Sequence, residues 1–119
     1  MQGTRVTYTY HTAGTLAANH VFCFTLPFDA QLVHVSAVGS NSNSGILDVG
    51  NNSDAEAYVK DKDIGDSYTP GCVDDPSEFV GSNNPHIAAG TIIKATLDYD
   101  GAGGTAAADF TLVLTFTEG

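Results

Sequence analysis

The chain has 119 residues, a length that fits one domain with an ordinary hydrophobic core. Fourteen Asp and Glu stand against four Lys and Arg, a formal net charge of −10. So few cations exclude a phosphate-binding nucleic-acid module and disfavour docking on anionic membranes. Only 15% of residues are charged, and thirteen glycines with many Asn, Ser and Thr replace the charged faces that surface helices need.

In chain order, Val6, Tyr8 and Tyr10 alternate with Arg5, Thr7, Thr9 and His11, the period-two pattern of a half-buried strand. Residues 1–12 read either as this first strand within its own sheet or as a docking arm that pairs with another chain by strand addition. Residues 20–26 alternate again, with Phe22, Phe24 and Leu26 on one face and Val21, Cys23 and Thr25 opposite. At Pro27 that strand should bend, bulge or end, because proline cannot donate to a ladder. Cys23 in this apolar run reads as a buried free thiol, and nothing in the sequence pairs it with Cys72. Residues 30–38 place Leu32, His34, Ser36 and Val38 on one side and Val33, Val35 and Ala37 on the other, as in a strand covered on both faces. A Ser/Asn/Gly turn over 39–45 leads to a short strand at 46–49.

The segment 50–85 has weak periodicity, three of the four prolines and many acids. It reads as a long irregular excursion, with a turn or two of helix over 53–60 capped by Ser53 or Asp54. Regularity returns with Ile93, Ala95, Leu97 and Tyr99 on one face. The last run alternates Phe110, Leu112, Leu114 and Phe116 with Thr111, Thr115 and Thr117. These two runs are expected to form a hairpin across the Gly/Ala-rich stretch 100–104. Short strands separated by turns indicate an all-β chain: one antiparallel, jelly-roll-like β-sandwich domain over 1–119.

Candidate chemistry is sparse. Asp61, Asp63 and Asp66 supply oxygen ligands that suit calcium, but Ile64 and Gly65 break the EF-hand spacing, so a solvated acidic loop is the plainer reading. The four histidines lack zinc-motif spacing, although His20 and His34 lie on neighbouring expected strands. No elbow or Gly-rich turn follows Cys23 and no G-x-S-x-G supports a Ser/His/Asp triad, so no enzyme activity and no cofactor are expected. The N-terminal residues lack the apolar stretch of a secretory signal, and no run approaches the length of a membrane-spanning helix. Contacts with a partner are expected from Arg5, Tyr8 and Tyr10 at the first strand, and from Tyr58 and Tyr68 in the excursion, since tyrosine joins apolar area to a polar tip.

Three stretches carry a resemblance: Pro85-His86-Ile87-Ala88-Ala89-Gly90-Thr91-Ile92-Ile93, then Leu97-Asp98-Tyr99-Asp100-Gly101, then 110–119. With Leu32 to Gly39 and Ile46 to Gly50 they resemble the small decoration (cement) proteins of tailed-bacteriophage capsids. The likeness spans about residues 20–119 and is one of style. It implies a virion structural protein, made in the host cytoplasm and seated on the capsid surface. Such a protein is often a homotrimer, and bridges and stabilises major capsid protein subunits. The alternative is a carbohydrate- or receptor-binding β-sandwich module of a phage fibre or bacterial surface protein, using Tyr58, Tyr68 and the acidic loop.

Overall fold

A computed structural model describes residues 4–119. Two antiparallel sheets pack face to face as a sandwich, and the described residues contain no α-helix. In chain order the strands are β1 (Arg5–Thr15), β2 (His20–Phe24), β3 (Ala30–Val38), β4 (Ile46–Asn51), β5 (Val59–Asp63), β6 (Gly71–Val73), β7 (His86–Ile87), β8 (Ile93–Asp98) and β9 (Ala108–Glu118). One sheet runs β1-β9-β3-β6, with β7 added to the end of β3, and the other runs β2-β8-β4-β5.

The most regular sequence runs occupy the middle of each sheet. β9 lies between β1 and β3, so Phe110, Leu112, Leu114 and Phe116 are fully buried. β8 lies between β2 and β4 and presents Ile93, Ala95 and Leu97 to the same core. Each of these Phe, Leu and Ile side chains contributes about 1.5–3 kcal/mol on burial. β1 and β2 form the edges on one side of the sandwich, and β6 and β5 those on the other.

The expected hairpin between the last two runs is not formed, because β8 and β9 belong to different sheets. Alternation says which face of a strand is apolar and not which strand is its neighbour. Here the two apolar faces meet across the sandwich, and the chain crosses over between Tyr99 and Ala107, whose N–H donates to the Tyr99 carbonyl at 2.9 Å. The strict alternation expected of β3 also fails. A bulge between Leu32 and His34 puts Leu32, Val35 and Ala37 in the core and turns His34, Ser36 and Val38 outward.

No helix forms over 53–60. The Asn51 side chain accepts from the N–H groups of Ser53 and Asp54 at 2.9 and 2.8 Å, and Asp54 accepts from Glu56 at 3.0 Å, which folds this stretch into turns. Tyr58 N–H then donates to the Val49 carbonyl at 2.9 Å, starting the β4–β5 ladder. The excursion thus contains two short strands and a 3-10 turn at Pro76–Glu78, capped by Asp75 with Glu78 reaching back to the cap. β5 reads Val-Lys-Asp-Lys-Asp, so it carries no hydrophobic alternation for sequence reading to find. Cys23 is exposed, contrary to expectation, because β2 is an edge strand whose odd-numbered residues face solvent; Cys72 is half-buried on β6, and both thiols are free.

Candidate functional site

Three places gather the residues that sequence reading singled out. The first is the open side of the sandwich, where β1 and β2 are both edges. Tyr8 stacks on Phe24 with centroids 4.2 Å apart, and Tyr10 stacks on Phe22 at 4.4 Å. Phe24 in turn meets Phe116 edge-on at 5.9 Å, which ties the aromatic pair to the core. The Tyr10 hydroxyl lies 3.2 Å from His20 Nδ1. Tyr8 and Tyr10 are therefore half-buried packing residues with one flank still open, while Arg5 is exposed at the start of β1. Residues 5–12 of the proposed docking arm lie within β1, paired in its own sheet; its first three residues lie outside the described residues.

The second place is acidic. Asp61, Asp63 and Asp66 do not meet; Asp61 instead joins Asp48 and Glu56, whose ligand oxygens all lie within 4.8 Å of one another. Asp48 projects from β4. Asp61 stands at a register irregularity in the facing β5, with φ of 50°, and donates its N–H to Asp48 Oδ1 at 2.7 Å. Desolvation, then the Asp61 charge, raises the Asp48 pKa, against the hydrogen bond from the Asp61 backbone that lowers it. Glu56 is also raised, by desolvation first and then by the charges of Asp48 and Asp61. Three carboxylates so placed suit a hard divalent cation with water completing its shell. Only strand pairing reveals this trio, since Asp48, Glu56 and Asp61 have no motif spacing in sequence.

A raised carboxylate pKa means that the folded state holds its proton more tightly than the unfolded chain. The stability so gained is present below the unfolded pKa and lost as pH rises through the folded one. Asp48→Asn keeps the oxygen that accepts from Asp61. It should leave stability at pH 4 nearly unchanged and raise it at pH 7 by up to about 1 kcal/mol, after allowance for solvent screening. Urea denaturation at the two pH values checks this; equal effects at both would show that folding does not raise the Asp48 pKa.

The third place is a hollow of about 380 Å³ lined by Asn43, Gly45, Ile46, Asp63, Ile64 and Asp66 among others. Asn43 N–H donates to Asp66 Oδ1 at 3.3 Å. Tyr58 does not line this hollow. It is only 9% exposed, and its backbone is held by Val49 and Val80. Tyr68 is 76% exposed with φ of 67°, on the turn that follows Asp66. His20 and His34 lie on different sheets and make no pair. No helix among the described residues is long and apolar enough to cross a membrane.

No protein-family model matches the chain, and no curated protein sequence matches it. Among solved structures, the chain is similar to a chain of the cyanophage Pam1 capsid asymmetric unit, with a TM-score of 0.56 and 13% sequence identity. The likeness covers 99% of this chain and 87% of the other, so the two share a fold over nearly their whole length.

Proposed function

We propose that the chain is a virion structural protein that decorates a phage capsid on its outer surface and stabilises the shell by bridging major capsid protein subunits. The observation that carries this reading is the end-to-end likeness of fold to a chain of a phage capsid asymmetric unit. The resemblance of the sequence to capsid decoration proteins supports it independently. The strands cross repeatedly between the sheets, β1 to β2, β2 to β3 and β3 to β4, and this favours a jelly-roll wrapping of the sandwich. Binding and packing, rather than catalysis, is the role this architecture suits. Many weak contacts made at once on a lattice add through effective concentration, so no deep pocket is required.

Adding the protein to undecorated capsids should raise the temperature at which they release DNA, and the protein should sediment with intact shells. Shells that neither bind it nor gain heat resistance would refute the reading. The glycan- or receptor-binding alternative is weakened by the burial of Tyr58, which leaves Tyr68 as the one strongly exposed tyrosine among the described residues.

A further inference from the structure

The four edges of the sandwich are not equally protected. Native sheets guard their edges with short strands, charges, prolines or bulges, because an open edge invites another strand. β6 has three residues. β5 alternates Lys60, Asp61, Lys62 and Asp63. β2 has five residues and is followed by Pro27. β1 is the longest of the four and over residues 5–12 has one charge, Arg5 at its start, and neither a proline nor a bulge; aromatic and β-branched residues alternate there in regular register with β9 until the shift after Thr12.

The direction of its free backbone groups follows from one bond. Glu118 N–H donates to the Thr4 carbonyl at 2.8 Å, which makes that pair a hydrogen-bonded one. In an antiparallel ladder such pairs alternate, so Val6, Tyr8 and Tyr10 bond to β9. Arg5, Thr7, Thr9 and His11 then turn their N–H and C=O groups to the open edge. Among the described residues no strand covers them.

Charge selects the occupant. All fourteen carboxylates lie from Asp29 onward, and none is on β1 or β2. The outer rows that run from β1 across β9 to β3 are Arg5–Thr117–Gln31, Thr7–Thr115–His34, Thr9–Val113–Ser36 and His11–Thr111–Val38, again without a carboxylate. The neighbouring Asp109 is engaged by Gly14 N–H and Ser40 Oγ, each at 2.7 Å. Two chains of charge −10 repel over most of their surfaces and approach with least cost on this side.

We propose that β1 is a homotypic docking edge, on which the β1 of a second copy adds antiparallel about a two-fold axis near Tyr8. Thr7 of each copy then bonds to Thr9 of the other, Arg5 faces His11, and no like charges oppose. The two half-open aromatic stacks, Tyr8 on Phe24, meet across the axis and lose their remaining exposure. The sheets join into one continuous sheet, an isologous interface. This proposal does not depend on the capsid reading, since it concerns the free protein.

Native mass by light scattering after gel filtration tests it. The wild-type chain should run as a dimer at micromolar concentration. Thr9→Pro removes an N–H that bonds nothing within the chain, a change an edge strand tolerates. It should weaken dimerisation at least tenfold with an unchanged circular dichroism spectrum. Thr7→Lys combined with Thr9→Lys, which sets like charges opposite one another, should do the same should the proline variant fail to fold; Thr9→Val should remain dimeric. A wild-type monomer, or an oligomer of any size that survives both disruptive variants, overturns the proposal. A trimer indifferent to them would favour the threefold assembly that the sequence resemblance implies.

Discussion

Replacing Phe116 with alanine is expected to cost about 3–5 kcal/mol of folding stability, as truncation of a buried aromatic does. Phe116 is fully buried on the central strand of its sheet, opposite Val6 on one side and Leu32 on the other. Its ring meets Phe24 edge-on at 5.9 Å, and Phe24 carries the stacked Tyr8. The change therefore removes the buried ring's transfer energy and also leaves a cavity that two sheets, held apart by their other side chains, cannot close. For a domain of this size 1 kcal/mol moves the melting temperature by about 4 °C, so a fall of about 12–20 °C is expected. A loss below about 1 kcal/mol in urea denaturation would mean that the two sheets do not pack through this residue. Phe116→Leu, which keeps most of the volume, should cost far less.

Gly65→Ala is the second change of large effect, for a different reason. Gly65 N–H donates to the Ala37 carbonyl and its own carbonyl accepts from Gly39, both at 2.9 Å, so its backbone closes the gap between the end of β3 and the acidic turn. A Cβ there would lie 2.6 Å from Gly71 N and 2.8 Å from the Pro70 carbonyl carbon, and would overlap the Thr69 carbonyl oxygen. These are backbone atoms of a closed turn, so no side chain can rotate out of the way. A destabilisation of about 3 kcal/mol is expected, at the upper end for overpacking. Because the displaced turn leads straight into β6, the half-buried Cys72 should react faster with a thiol reagent, while the exposed Cys23 should keep its rate. Equal Cys72 rates in the two proteins would show that the turn yields without cost.

The sequence was legible where one strand's pattern decides the outcome. Phe110 to Phe116 and Ile93 to Leu97 alternate, and the structure buries the faces that the alternation marks. It was illegible where the outcome depends on a neighbour. The bulge in β3 moves Leu32 to the side of Val35, a shift that no count of alternate residues contains. The separation of β8 from β9 is a matter of which strands pair, and the turn at Asn51 outcompetes a helix through side-chain bonds that composition does not rank. The acidic trio follows the same rule. Asp48 and Asp61 meet because β4 pairs with β5, whereas the closely spaced Asp61, Asp63 and Asp66 are parted by the strand and turn they sit on. Burial of Tyr58 and exposure of Tyr68, which look alike in sequence, were decided by the ladder that catches the first and passes the second.

The pairing of β1 with β9 has a consequence for the birth of the molecule. Arg5 waits for Thr117, so the sheet that contains both stays incomplete until nearly all of the 119 residues have left the ribosome. At about 5–20 residues per second that interval is on the order of ten seconds. During it β1 has no partner, and β3 lacks the strand that will cover its longer flank. Long-range closure of this kind also slows the final folding step relative to local hairpins. The nascent chain thus spends its synthesis with a β-prone, carboxylate-free β1 uncovered, while the fourteen acids all lie from Asp29 onward.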